Sequence, residues 1–294
     1  MTKALAEVQD DTFIEKSNAK LIDIINSYCE QQYNANKLSE VSYLRKKETV
    51  KIISKLNIAE MKIQNINIKD VNEDLAKIKD YSNSVIAKIC GLLSTCFDYA
   101  ILLKLINSNP FKIKGAIIRP KSTREDKKVD ALTIEEQKLF VSELSKTQDP
   151  YKDIFYIALY SGMRISEILA LRGEDINLDN RTININKTLT KDKNGKTILG
   201  KTTKTYAGTR EIPFLDILYP ILGNYTSSNF LFLYNGKFIG HNTINTHFKK
   251  ICKDANIRVT VTKKKKKDKY VNLKTSEVNT HMLRHTFATR CIES

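Results

Sequence analysis

Ala158-Leu159-Tyr160-Ser161-Gly162-Met163-Arg164-Ile165-Ser166-Glu167-Ile168-Leu169-Ala170-Leu171 is the stretch around which the rest of the chain arranges itself. Nearly every residue in it is apolar or small, yet an arginine stands in the middle. Ile165, Ile168, Leu169 and Leu171 supply the apolar face of a short amphipathic helix, and Ser161-Gly162 is a turn just before it. The pattern places Arg164 at a helix N-terminus, beside free backbone donors and the positive end of the helix dipole. Such a place suits an anion, phosphate above all. Taken alone, a surface arginine that starts a helix is the better reading.

A second box changes that. Thr280-His281-Met282-Leu283-Arg284-His285-Thr286-Phe287-Ala288-Thr289 is again helical in pattern, with an apolar face and an arginine, about a hundred residues downstream. Together the two stretches resemble the signature boxes of the tyrosine recombinase (phage integrase) family, Ser/Thr-Gly-(apolar)-Arg-Ile-Ser-Glu and His-x-Leu-Arg-His-Thr-Phe-Ala. Their order and separation also match.

The totals narrow the partner. With 294 residues the chain has room for two domains, and 41% apolar residues mark it as globular. Its formal charge of +16, from 49 Lys+Arg against 33 Asp+Glu, calls for a polyanion: nucleic acid or an anionic membrane. No apolar run is expected to reach bilayer-spanning length, and Met1 to Lys16 has no hydrophobic signal core, so nucleic acid is preferred and no membrane partner is expected. Cys29, Cys90, Cys96, Cys252 and Cys291 are scattered and odd in number, which fits free thiols in a reducing cytoplasm and no structural zinc. His281 and His285 stand four apart on a helix, but an arginine between them would repel a cation; no metal or other cofactor is expected.

In chain order, residues 1–16 read as a flexible lead-in. Helical periods follow from Ser17, from Ser39 to Leu56, around Ile68 to Lys79, and from Ser82 to Ile106, where Asn109-Pro110 is expected to stop the last and most apolar of them. Residues 17–111 thus form an all-helical bundle. Residues 112–130 are basic, without a period, and read as a linker. Thr133 and Glu136 form a capping box opening a helix from Ile134 to Leu144, and Tyr151 to Tyr160 follows as another. Arg181 to Asn186 alternates strictly, as a half-buried strand does; Thr197 to Leu199 and Thr209 to Pro213 add to a small sheet whose tip carries Lys201 and Lys204. Lys263 to Lys267 reads as an exposed loop, with Lys263, Lys264 and Lys265 as phosphate-attracting candidates alongside Lys201, and a final helix runs from Ser276. The expected fold class is mainly α with a small antiparallel sheet. By resemblance, residues 17–111 are a helical, SAM-like core-binding domain and residues 131–294 an α+β recombinase catalytic domain.

The chemistry needs few parts. Attack on a DNA phosphodiester loads negative charge onto the non-bridging oxygens, which two bidentate guanidiniums answer best. The leaving 5′-oxygen needs a proton, and a side-chain hydroxyl must attack if the bond energy is to be kept. The resemblance fills these roles: Arg164 and Arg284 clamp the phosphate, His281 hydrogen-bonds it and assists proton transfer, and Lys204, ahead of Arg210-Glu211-Ile212-Pro213, is the general acid, with Lys201 the fallback. It makes Glu167 a buttress of the site. His285 is expected to support the helix packing.

The family's Gly-His (or Trp) box and nucleophilic tyrosine follow the second arginine by a few dozen residues; here the sequence stops at Ser294, and Tyr270 is a poor substitute. The expectation is a shortened recombinase that binds DNA without cleaving it, the relatives acting as homotetramers on paired double-stranded sites. Competing readings are a non-enzymatic DNA-binding regulator, a type IB topoisomerase-like enzyme and, least, a metal-dependent nuclease.

Overall fold

A computed structural model describes residues 14, 16–124, 130–192, 194–200, 209–225, 229–266 and 269–293, the side chains of 263–271 excepted. The chain divides into two compact units, residues 1–127 and 128–294.

Among the described residues of the first unit, four α-helices, α1 (Leu21–Asn34), α2 (Glu40–Ile53), α3 (Ile68–Ala76) and α4 (Asn83–Leu102), surround one core. Each of the last three begins on a side-chain cap: Ser39, Asn67 with Asp70 in a reciprocal capping box, and Ser82. Leu21, Ile25, Ile53, Leu75, Ile89 and Phe97 are fully buried between them. Helix α4 ends earlier than expected. Lys104 takes a left-handed backbone (φ 56°), which terminates the helix, and Asn109-Pro110 instead opens a separate 3-10 turn whose Asn109 side chain accepts from the Phe111 N–H. A second expectation is corrected here. At 20 residues and a mean hydropathy of 1.7 over its best window, α4 is long and apolar enough to cross a membrane by length and composition. Its Ile86, Ile89, Leu93 and Phe97 are spent on the core of this unit.

The stretch expected to be a linker from residue 112 is tied to the same unit as far as Arg124. Asn72 bonds Ala116 O and Ile118 N, Asn83 accepts from Ser122 N, and Thr123 N donates to Lys79 O.

The second unit is mixed. Helix α5 (Ile134–Lys146) starts on the Thr133/Glu136 capping box, with Glu136 N to Thr133 Oγ1 at 3.1 Å and Thr133 N to Glu136 Oε2 at 2.9 Å. Helix α6 (Lys152–Ser161) leads through Gly162 to the single-turn α7 (Ile165–Ile168). Five short strands follow: β1 (Ile176–Asn177), β2 (Thr182–Ile185), β3 (Leu189–Lys191), β4 (Thr197–Leu199) and β5 (Arg210–Pro213). They make not one sheet but two pieces, a three-stranded antiparallel β1-β2-β5 sheet and a β3-β4 hairpin. On β2, Ile183 and Ile185 are buried while Asn184 is exposed, the alternation visible in the sequence. Then come α8 (Tyr219–Leu222), the β6 (Leu233–Tyr234) and β7 (Lys237–Phe238) hairpin, and α9 (His241–Asp254).

The lysine run is not a loop. β8 (Val259–Lys266) and β9 (Lys269–Ser276) form an antiparallel ribbon paired from Val259↔Ser276 to Lys266↔Lys269. The ladder is a backbone property that a run of identical lysines hides, since it offers no apolar alternation. Because Ser276 closes that ribbon, with its hydroxyl donating to Ile257 O at 2.6 Å, the last helix, α10, begins later than expected and spans His281–Glu293. Phe140, Phe155 and Phe248 meet edge-on or tilted in the core, centroids 5.3–6.4 Å apart. Helix α10 packs against α6, and its Thr286 hydroxyl oxygen accepts from Leu132 N at 2.9 Å, tying it to the start of α5.

Candidate active site

The first box turns sharply at Gly162, whose backbone is left-handed (φ 63°). A Cβ there would lie 2.3 Å from Phe287 Cδ1 on α10, so the position needs glycine for both conformation and space. The turn buries Met163 and leaves Arg164 extended at the N-cap of α7. The second box reaches back: an Arg284 Nη donates to Gly162 O. The two boxes, distant in sequence, are thereby locked together.

Arg164 is held by Glu167. Its backbone N–H donates to Glu167 Oε2 and its Nη1 to Oε1, both at 2.9 Å. Arg210, on β5, binds the same carboxylate from the other side, Nη1 to Oε1 at 3.2 Å and Nη2 to Oε2 at 2.9 Å. Glu167 is only 4% exposed. Burial pushes its carboxyl up, but the hydrogen bonds from Arg210 and Arg164 outweigh that and hold it below the usual carboxylate range. Glu167 is thus ionised, and both its oxygens are occupied.

Beside this pair lies a cavity of about 160 Å³ lined by Arg164, Ser166, His241, Thr280, His281 and Arg284. Burial depresses the His281 imidazole, helped by His285, Arg284, Arg164 and His241; burial and then Lys191 depress His241. Burial also lowers Arg284, with the charge of Arg164 next in weight. Both imidazoles are therefore neutral at pH 7, and a guanidinium stays charged. An anion entering meets two cations and two neutral rings that gain by protonating.

Of the residues expected from the sequence, Arg164, His281 and Arg284 meet at this cavity, and Glu167 stands behind it. His285 is exposed, and its ring meets that of His281 edge-on, with centroids 4.7 Å apart. Lys204 and Lys201 lie outside the described residues. Lys263, Lys264 and Lys265 are on β8, and their side chains lie outside the described ones. Sequence reading missed His241, Thr280 and Arg210 as parts of the site. Arg210 was visible only as a landmark before Ile212-Pro213, and His241 only as a histidine after a glycine. Among the described residues, no group of three or more His, Cys, Asp or Glu is placed to hold a metal.

Two guanidiniums and an imidazole share one small cavity in a mixed α/β unit, an arrangement suited to holding an anion such as phosphate. The chain belongs to the phage integrase family, the tyrosine recombinases, whose sequence profile matches residues 130–294. Over 311 positions it is 27% identical to the transposase from transposon Tn916 of Enterococcus faecalis, covering 98% of this chain and 72% of that protein. It is 26% identical over 243 positions to a tyrosine recombinase of Thermosipho africanus, covering 78% of this chain and 72% of the other. In fold it is similar to the Tn1549 transposon integrase solved in complex with transposon right end DNA (TM-score 0.74, 22% identity, 94% of this chain and 87% of that one). It is likewise similar to a lambda integrase dimer bound to a COC′ core site (TM-score 0.60, 13% identity, 92% and 89%).

Proposed function

We propose that the chain is a site-specific integrase that acts on double-stranded DNA at paired recombination sites, in the cytoplasm, as a homotetramer. In the family this reading draws on, strands are broken and rejoined through a 3′-phosphotyrosyl intermediate; the part proposed for this chain's own residues is to bind the DNA and hold the scissile phosphate. Arg164 and Arg284 bind the non-bridging oxygens of the scissile phosphate, and His281 hydrogen-bonds the same group. Lys204 gives its proton to the departing 5′-oxygen, with Lys201 as the alternative donor. Glu167 fixes Arg164, and His285 orients the His281 ring. No nucleophile is assigned among its residues. Residues 17–111 are the core-binding domain, 112–130 the connector and 131–294 the catalytic domain. The lysines of β8, Lys263, Lys264 and Lys265, add sequence-independent attraction to the backbone.

The observation that carries this reading is that Arg164, His281 and Arg284 line one cavity although two of them are more than a hundred residues from the third. Binding to duplex DNA tests it. Arg164→Ala and Arg284→Ala each remove charge-assisted hydrogen bonds to phosphate and lower the affinity about 10-fold or more. Affinities equal to wild type in both variants overturn the reading. Relaxation of a supercoiled plasmid without paired sites would point instead to a type IB topoisomerase-like activity.

A further inference from the structure

His241 and Thr280 line the same cavity as the two arginines but have no part in the chemistry above. His241 opens the 14-residue α9, and its Nε2 lies 3.2 Å from Oγ1 of Thr280, the residue immediately before α10. Thr280 is 2% exposed, and its backbone N–H donates to Asn245 Oδ1 at 3.1 Å, one turn further along α9. Its main chain is thus fixed, and the hydroxyl rotor is what remains to be set.

A hydroxyl has one hydrogen to give and lone pairs to accept with. When His241 Nε2 is bare, the Thr280 hydroxyl donates to it and turns a lone pair toward the cavity, which repels a phosphate oxygen. When Nε2 carries a hydrogen, it donates to Oγ1, and the hydroxyl hydrogen is free to point into the cavity. The charged and titratable groups around this pair are Lys191 at the end of β3, Arg164 before α7, and His281 and Arg284 on α10. Glu167 is engaged by Arg164 and Arg210. Lys191, Arg164 and Arg284 are donors only, and among the described residues it is Thr280 Oγ1 that His241 Nε2 meets within hydrogen-bonding distance. Burial and Lys191 hold the imidazole below its ordinary range, so the choice at neutral pH is between tautomers.

We propose that His241 is a positioning residue which, through Nε2–H, turns the Thr280 hydroxyl onto a phosphate oxygen held by Arg164 and Arg284. The proposal rests on the cavity being the phosphate site. The two are separated by measuring inorganic phosphate binding, from broadening of its phosphorus resonance, in the whole chain and its variants, with thermal melts to verify folding. His241→Phe keeps a ring without a donor, and Thr280→Val keeps the shape without the hydroxyl; each weakens phosphate binding about 5- to 10-fold. His241→Gln, which returns an N–H near the place of Nε2, stays within about 2-fold of wild type. The double variant His241→Phe/Thr280→Val is no weaker than either single one, because both remove the same bond. His241→Phe binding like wild type, His241→Gln as weak as His241→Phe, or additive losses would each overturn the assignment. Arg284→Ala separates the failures. If it loses phosphate while His241→Phe does not, only the role of His241 falls; if it binds phosphate normally, the cavity is not the phosphate site and both fall.

Discussion

Two like charges, the guanidiniums of Arg164 and Arg210, converge on Glu167, and the arrangement stands only while that carboxylate is ionised. Removing the charge leaves two cations facing each other across a buried amide. Glu167→Gln is therefore expected to destabilise the fold by about 2 kcal/mol at pH 7, read by urea unfolding. The native carboxyl is held below its unfolded value, so its contribution is complete above about pH 4.3 and disappears as pH falls through the lower native value. The gap between wild type and Glu167→Gln should shrink on going from pH 7 to pH 3. A gap that stays constant over that range would mean the carboxylate charge is not what stabilises the site. At this scale the sequence was informative where a residue sits in a dense local pattern. Arg164 is framed by Ser161, Gly162 and Ser166, and Arg284 by His281 and His285, each among apolar neighbours at helical spacing. His241 and Thr280 are 39 positions apart with no shared pattern, and only the packing of α9 against the start of α10 makes them neighbours.

Among the elements, those with side-chain punctuation were legible and those set by long-range pairing were not. Thr133 with Glu136 announced α5, because a cap is a bond between residues three apart, while α4 showed itself by its apolar period. Strand β2 showed itself by alternation, since one face is buried. The β8-β9 ribbon gave no such sign. Val261 and Leu273 are more than 40% exposed, so at these positions the ribbon lacks the burial that would impose a period of two. What the structure gives for it is the backbone ladder from Val259↔Ser276 to Lys266↔Lys269. If Lys263, Lys264 and Lys265 rest on phosphates, replacing all three by alanine should make the slope of log affinity for duplex DNA against log salt shallower. The expected change is about 0.9 for each phosphate no longer neutralised, up to about 2.7. Affinity at low salt should drop uniformly across unrelated sequences. An unchanged slope would leave the ribbon a solvated appendage.

Across the whole molecule, the division into residues 1–127 and 128–294 is also a division of cores. The buried cluster of the first runs from Leu21 to Ala100, that of the second from Leu132 to Leu283, and they share no member. Chain length suggested two domains and periodicity a helical one at residues 17–111, while charge and composition carried no information on the boundary. The cavity proposed to take the phosphate is lined by residues of the second unit, on the turn after α6 and the N-terminal ends of α9 and α10. A cavity cut in the first core should therefore leave the site's anion chemistry intact. Phe97 is fully buried in α4 against Phe111, with ring centroids 5.9 Å apart, and Phe97→Ala should cost its unit about 3–5 kcal/mol. Phe155 lies in α6 between Phe140 and Phe248, and Phe155→Ala should cost the second unit a similar amount. Helix α6 ends in Gly162, whose carbonyl holds Arg284, so loosening α6 displaces the arginine clamp. Inorganic phosphate titrations, corrected for the Arg284→Ala background, should then show binding kept in Phe97→Ala and weakened in Phe155→Ala, while thermal melts show both variants destabilised. Equal loss of phosphate binding in the two variants would mean that the site depends on the helical bundle as much as on its own unit.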